Sequence, residues 1–168
     1  VLITPTTGTV LGLIHDAQTG ELIQGATVSG EGFSTQTDEN GAYSLSSIPL
    51  GSVQISCTKN NYTRSDEYIS VSYGDNIYHV DLVSTVASIK GFISDSSSSA
   101  FLDSVTMTLG LDTVLTDSDG FYEFDAVPVN RLLALKAARR NYTTRSVWVT
   151  LEPGENTRDI GLTPNPGI

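Results

Sequence analysis

The chain repeats itself, and the repeat constrains its fold more than any other feature. Laid on itself at an offset of 79 residues, Gly12, Ile14 and Asp16 fall on Gly91, Ile93 and Asp95, and Leu22 falls on Phe101. The run Thr37-Asp38-Glu39-Asn40-Gly41-Ala42-Tyr43 falls on Thr116-Asp117-Ser118-Asp119-Gly120-Phe121-Tyr122, and Ile48-Pro49 falls on Val127-Pro128. Further on the offset becomes 80, pairing Asn61-Tyr62-Thr63 with Asn141-Tyr142-Thr143, Gly74 with Gly154, and Leu82 with Leu162. Self-similarity at such a period marks a duplicated structural unit. The 168 residues therefore divide into two small modules.

The extra residue of the second copy belongs in a turn, because a one-residue slip inside a strand would send its apolar set to the opposite face. Placed near Asn130-Arg131, opposite Gly51, it lets Leu133, Leu135 and Ala137 match Val53, Ile55 and Cys57 with inward alternation kept. Each copy is a series of short β runs broken by Gly, Asn, Asp and Ser, with no apolar stripe of helical period. In the first copy the pattern predicts seven strands, near residues 9–16, 25–29, 33–37, 42–46, 52–58, 67–72 and 77–83. The expected class is all-β, with two tandem seven-stranded sandwiches. The boundaries follow as an N-terminal extension over 1–7, modules over 8–83 and 87–163, a short connector over 84–86, and a tail over 164–168.

A formal net charge of −10 disfavours nucleic acid as a partner, since that affinity rests on Lys and Arg neutralising phosphates. Residues 8–83 hold nine acids against Lys59 and Arg64, a balance of −7, while residues 84–163 hold ten acids against seven bases, a balance of −3. No segment approaches the ~20 apolar residues that a membrane-spanning helix needs. The single cysteine, Cys57, cannot form an internal disulfide or a Cys-cluster zinc site, and its place in an alternating apolar strand reads as a packed thiol.

These motifs resemble the carboxypeptidase regulatory-like family, a transthyretin-like Greek-key sandwich. Its V-x-G-x-V-x-D start is matched by Val10-Leu11-Gly12-Leu13-Ile14-His15-Asp16 and by Ile89-Lys90-Gly91-Phe92-Ile93-Ser94-Asp95. Its A-x-V strand is matched by Ala26-Thr27-Val28 and more loosely by Val105-Thr106-Met107, and its T-D-x-x-G-x-Y/F segment occurs twice. Its P-x-G turn is Pro49-Leu50-Gly51 in the first copy and Pro128-Val129-Asn130 in the second. Its Gly-Tyr pair is replaced by Asn61-Tyr62 and Asn141-Tyr142, a change that left-handed backbone angles tolerate. The resemblance implies the fold. It implies no single activity, because such modules occur beside peptidases, in adhesins and fibres, and in carbohydrate-handling proteins.

Asp38, Gly41, Asp117 and Gly120 lie in segments like fragments of a calcium loop, but Gln36 and Leu115 stand where a further acid is needed, so they read as hairpin turns capped by Asp. His15 and His79 lack histidine counterparts in the second copy, which argues against a zinc site, and no Ser sits on a G-x-S-x-G turn. No cofactor, metal or catalytic residue is expected.

Tyr68, Tyr73, Tyr78 and Trp148 could stack on sugar rings, although the alignment of Tyr68 with Trp148 favours packing. Asn61 and Asn141 satisfy the N-x-T glycosylation pattern. Arg131, Lys136, Arg139, Arg140 and Arg145 form either a solvated face or a patch for the acidic first copy of a neighbour. Val1, Leu2, Ile3 and Thr4 are β-forming, precede the first repeat and make a candidate donor strand for another subunit.

The expected function is a non-catalytic, exported structural or adhesive module at the cell surface, partnered by copies of itself or by other surface proteins and assembled head to tail. A carbohydrate-binding accessory and a regulatory pair attached to a peptidase are the alternatives.

Overall fold

Alternating side chains give strands one apolar face and one polar face, and two such sheets bury their apolar faces against each other. In a computed structural model, which describes residues 6–166, the chain forms strands and no helix among the described residues. It divides between Thr85 and Val86 into two units, each with its own core.

The first unit contains β1 (Thr7–Asp16), β2 (Thr27–Gly30), β3 (Phe33–Gln36), β4 (Ala42–Pro49), β5 (Gly51–Thr58), β6 (Ser65–Val71), β7 (Gly74–Ile77) and β8 (Val80–Leu82). One sheet has the order β4-β1-β7, with β8 also on β1; the other has the order β3-β2-β5-β6. The second unit repeats this with β9 (Val86–Asp95), β10 (Thr106–Leu109), β11 (Asp112–Leu115), β12 (Phe121–Pro128), β13 (Leu132–Ala138), β14 (Arg145–Thr150), β15 (Gly154–Thr157) and β16 (Ile160–Leu162). Val10, Ile14, Val28, Leu45, Ile55 and Leu82 are among the buried side chains of the first core. Ile89, Ile93, Met107, Phe124, Leu135 and Leu162 are among those of the second. Full burial of such a side chain stabilises by roughly 1.5–3 kcal/mol.

The extra residue lies where the alternation requires it. Val28 pairs with Cys57 and Met107 with Ala137, so β2 and β10 differ by 79 positions while their partners β5 and β13 differ by 80. Since β4 and β12 still differ by 79, the insertion falls in the turn after Pro128, where Asn130 takes a φ of 57°.

Four expectations need correction. The seventh strand expected over 77–83 is two strands: β7 begins earlier, at Gly74, and β8 follows a break at Tyr78-His79, where the chain crosses directly over a glycine of the central strand, as it does at Arg158-Asp159 in the second copy. The turns at Asp38–Gly41 and Asp117–Gly120 are not hairpins: β3 and β4 lie in different sheets, as do β11 and β12, so each turn is an arch between sheets. β1 begins at Thr7, and the Thr6 carbonyl accepts from the Leu50 amide at 3.2 Å, so residues 6–7 belong to the sandwich. The connector is claimed by the units themselves. Thr85 donates to the Asn61 carbonyl at 2.7 Å, and Val86 already pairs with Pro128. Val1, Leu2, Ile3 and Thr4 lie outside the described residues.

Candidate functional site

Asp16, Thr37, Asp38, Tyr43 and Tyr62, with their counterparts in the second copy, are held by bonds of the scaffold. Asp16 ends β1, and its Oδ1 accepts from the amides of Gln18 at 2.8 Å and Thr19 at 3.0 Å. Its Oδ2 accepts from the Tyr62 hydroxyl at 2.8 Å. Asp95 makes the same contacts with Ser97, Ser98 and Tyr142. The Asn residues of the repeated Asn-Tyr pairs have φ of 67° at Asn61 and 70° at Asn141, the left-handed angles expected for Asn in place of Gly.

Thr37 is buried; its Oγ1 accepts from the Ala26 amide at 2.8 Å and donates to the Ile23 carbonyl at 2.6 Å. Thr116 does the same with Val105 and Leu102. Oδ1 of Asp38 accepts from the Asn40 and Ala42 amides, and Oδ1 of Asp117 from the Asp119 and Phe121 amides. The motif carboxylates thus cap backbone donors of their own turns. The Tyr43 hydroxyl donates to the Tyr78 carbonyl at 2.6 Å and the Tyr122 hydroxyl to the Arg158 carbonyl at 2.6 Å, pinning each broken strand at its break.

Burial opposes ionisation of Asp16, but the Thr19 and Gln18 amides and the Tyr62 hydroxyl outweigh it and hold the carboxyl below its usual value. The Ser97 amide and then the Tyr142 hydroxyl lower Asp95 in the same way. Burial first, and then the bond to Asp16, push Tyr62 up to about 12. Because both carboxylates titrate lower in the folded chain than in the unfolded one, their contribution is fully present above the unfolded value of about 3.9 and is lost as pH falls through the lowered folded values. Acid melts should therefore show the midpoint dropping below about pH 4, and Asp16→Asn with Asp95→Asn should flatten that drop. An unchanged acid limb in the double variant would contradict this account.

The remaining candidates separate. Cys57 is 1% exposed, and burial pushes its thiol up to about 11, as suits a packed core group. The fold brings His15 and His79 together, with ring centroids 6.3 Å apart. Nδ1 of His79 accepts from the Leu13 amide at 3.0 Å, and His15 faces Asp81 at 3.6 Å. No group of three or more metal-ligating side chains occurs among the described residues.

The basic residues differ in their settings. Arg139 pairs with Asp103 at 2.7 Å and lies over the Tyr142 ring, while Arg145 donates to the Gly161 carbonyl at 2.9 Å. Lys136 is exposed on β13, with exposed Arg140 just beyond its C-terminal end, and Arg131 stands at the other end of that strand beside Leu111 and Leu133. The aromatics also depart from expectation. Ile69 and Val149 pack inward, which leaves Tyr68 and Trp148 on the outer face at 71% and 69% exposure. Tyr73 is exposed as well, whereas Tyr78 packs against the core.

Residues 9–84 match the carboxypeptidase regulatory-like domain family. The second unit repeats the strand order and registers of the first. No curated protein matches the chain. Among solved structures, the shaft pilin SpaA from Lactobacillus rhamnosus GG aligns over 97% of this chain and 100% of its own, at 9% identity and a TM-score of 0.53. The TIE protein of Bacillus anthracis aligns at 16% identity and a TM-score of 0.47, over 95% of this chain and 34% of that one, so the chain spans about a third of that protein. The minor pilin GBS52 of Streptococcus agalactiae aligns at 13% identity and a TM-score of 0.45, over 96% and 98% of the two chains. At 9% identity the likeness to the shaft pilin is one of fold.

Proposed function

We propose that the chain is a non-catalytic structural or adhesive part of an exported cell-surface assembly, partnered by copies of itself or by other surface proteins. The observation that carries this reading is the end-to-end likeness of both units to a shaft pilin, a protein named for its place in a filament. It is supported by the repeated polar motifs, whose side chains are spent on holding turns and strand breaks. In this reading Val1–Thr4 adds as a strand to an open sheet edge of the next subunit, and the unequal charges of the copies favour head-to-tail order. The test is light scattering with electron microscopy on the intact chain and on a version lacking residues 1–5. The cut stops there because Thr6 and Thr7 are bonded into the first unit. The intact chain should form filaments and the shortened one should not; a monomeric intact chain, or equal assembly of both, would sink strand donation.

A second reading, a carbohydrate-binding accessory, is favoured by the outward-facing Tyr68 and Trp148. Binding on a glycan array that disappears in Tyr68→Ala with Trp148→Ala would support it. Asn61 and Asn141 are exposed and remain candidate glycan acceptors, to be checked by mass spectrometry of the native material.

A further inference from the structure

We infer that each unit is built to carry tension along the chain, with the seam between its first and last strands as the mechanical clamp. The inference draws on the proposed structural role only for its use in the organism; the property belongs to the topology.

The seam joins β1 to β7 and β8 in parallel. Gly8 pairs with Gly74 and Leu11 with Ile77, then Ile14 with Val80 and Asp16 with Leu82. The chain therefore enters the seam at one end, at Thr7, and leaves it at the other, after Leu82. Pulling the two ends apart slides these strands along each other. Bonds across a parallel ladder lie between the strands, so sliding loads them together, whereas strands pulled apart from one end lose their bonds one after another.

The break in the last strand does not open the seam. At Tyr78 the amide donates to the Leu11 carbonyl at 2.8 Å, and His79 supplies an acceptor for Leu13. Beyond the last pair, the Ala17 amide donates to the Leu82 carbonyl at 2.9 Å. Asn76 adds a side-chain bond to the Thr9 carbonyl at 3.1 Å.

The second unit has the same seam from Ala87 with Gly154 to Asp95 with Leu162. Its break is bridged by Arg158 to Lys90 at 2.8 Å, with Asp159 taking the place of His79 as acceptor for Phe92. The exit of each unit is held as well. Thr63 donates to the Val83 carbonyl at 2.8 Å and Thr143 to the Thr163 carbonyl at 2.9 Å, so the repeated Asn-Tyr-Thr turns anchor the strand where load would leave.

Single-molecule force spectroscopy on the full chain tests this. Handles at the two ends load both seams in shear. Handles on Ser52→Cys and Ser70→Cys, which face each other at the open ends of β5 and β6, peel an antiparallel edge pair instead. Forced rupture is governed by the unfolding rate in the pulled direction, so rupture through the ends should need about threefold more force than rupture through positions 52 and 70. His79→Ala should lower one of the two end-to-end events and leave the 52/70 force unchanged. Equal or lower force through the ends, or an equal loss in both geometries for His79→Ala, would overturn the inference. If the chain resists strongly yet never forms filaments, the clamp stands and the filament reading fails.

Discussion

Replacing Gly12 by Ala is expected to unfold the first unit and leave the second folded. A Cβ at Gly12 would lie 1.9 Å from the Tyr78 carbonyl oxygen and 2.7 Å from its carbon, and both are backbone atoms that cannot turn aside. The chain at the strand break must lift. Doing so stretches the bonds from Tyr78 to Leu11, from Leu13 to His79 and from Tyr43 to Tyr78, each worth about 0.5–1.5 kcal/mol net. With the overpacking strain, the loss should reach about 3–5 kcal/mol, a large part of the stability of a domain this small. Gly91→Ala should do the same to the second unit, where the Arg158 carbonyl oxygen would sit 2.2 Å away.

Cys57 makes the two distinguishable. It is the sole cysteine, buried in the first core, so its reaction with a thiol reagent reports the opening of that unit. Gly12→Ala should make it react at far lower denaturant, and Gly91→Ala should leave its labelling unchanged. Protection kept in Gly12→Ala would mean that the close crossing does not matter.

Gly41→Val and Gly120→Val should each lower the melting transition of their own unit by roughly 10–25 °C, the equivalent of about 2–4 kcal/mol at this size. Gly41 has a φ of 65° and Gly120 of 74°, angles that a β-branched residue resists. Space compounds the strain. A Cβ at Gly41 would meet the Ile14 carbonyl oxygen at 3.0 Å, and one at Gly120 would meet that of Ile93 at 2.7 Å. Those carbonyls accept from Ile23 and Leu102, so yielding there disturbs the link between the turn and the first strand. Calorimetry should resolve one displaced transition and one unmoved transition in each variant. Two unmoved transitions would show that the arch tolerates a side chain.

The candidate site was only partly legible from the sequence. The repeat identified Asp16, Thr37, Tyr43 and Tyr62 as positions kept in both copies, but it could not say what they bond. The partners that tie distant segments together lie 14 to 46 residues away: Ile23 for Thr37, Tyr78 for Tyr43 and Asp16 for Tyr62. A usable signal was present in the pattern itself, since a polar residue repeated at the same step beside apolar core positions is one whose bonds the fold requires. Among the basic residues, Arg131 and Arg139 flank the two ends of β13, about 26 Å apart along an extended strand.

By itself the sequence determined the two-unit plan, the positions of the first six strands of the first copy and the place of the inserted residue. Those are local consequences of side-chain period and turn chemistry, and a slip in either would expose an apolar face. Only the tertiary structure decided that the Asp-Gly turns are arches between sheets, that the last strand breaks over Gly12 and Gly91, and that first and last strands run parallel. Those depend on which strands become neighbours, and alternation states which way a side chain faces without stating what faces it.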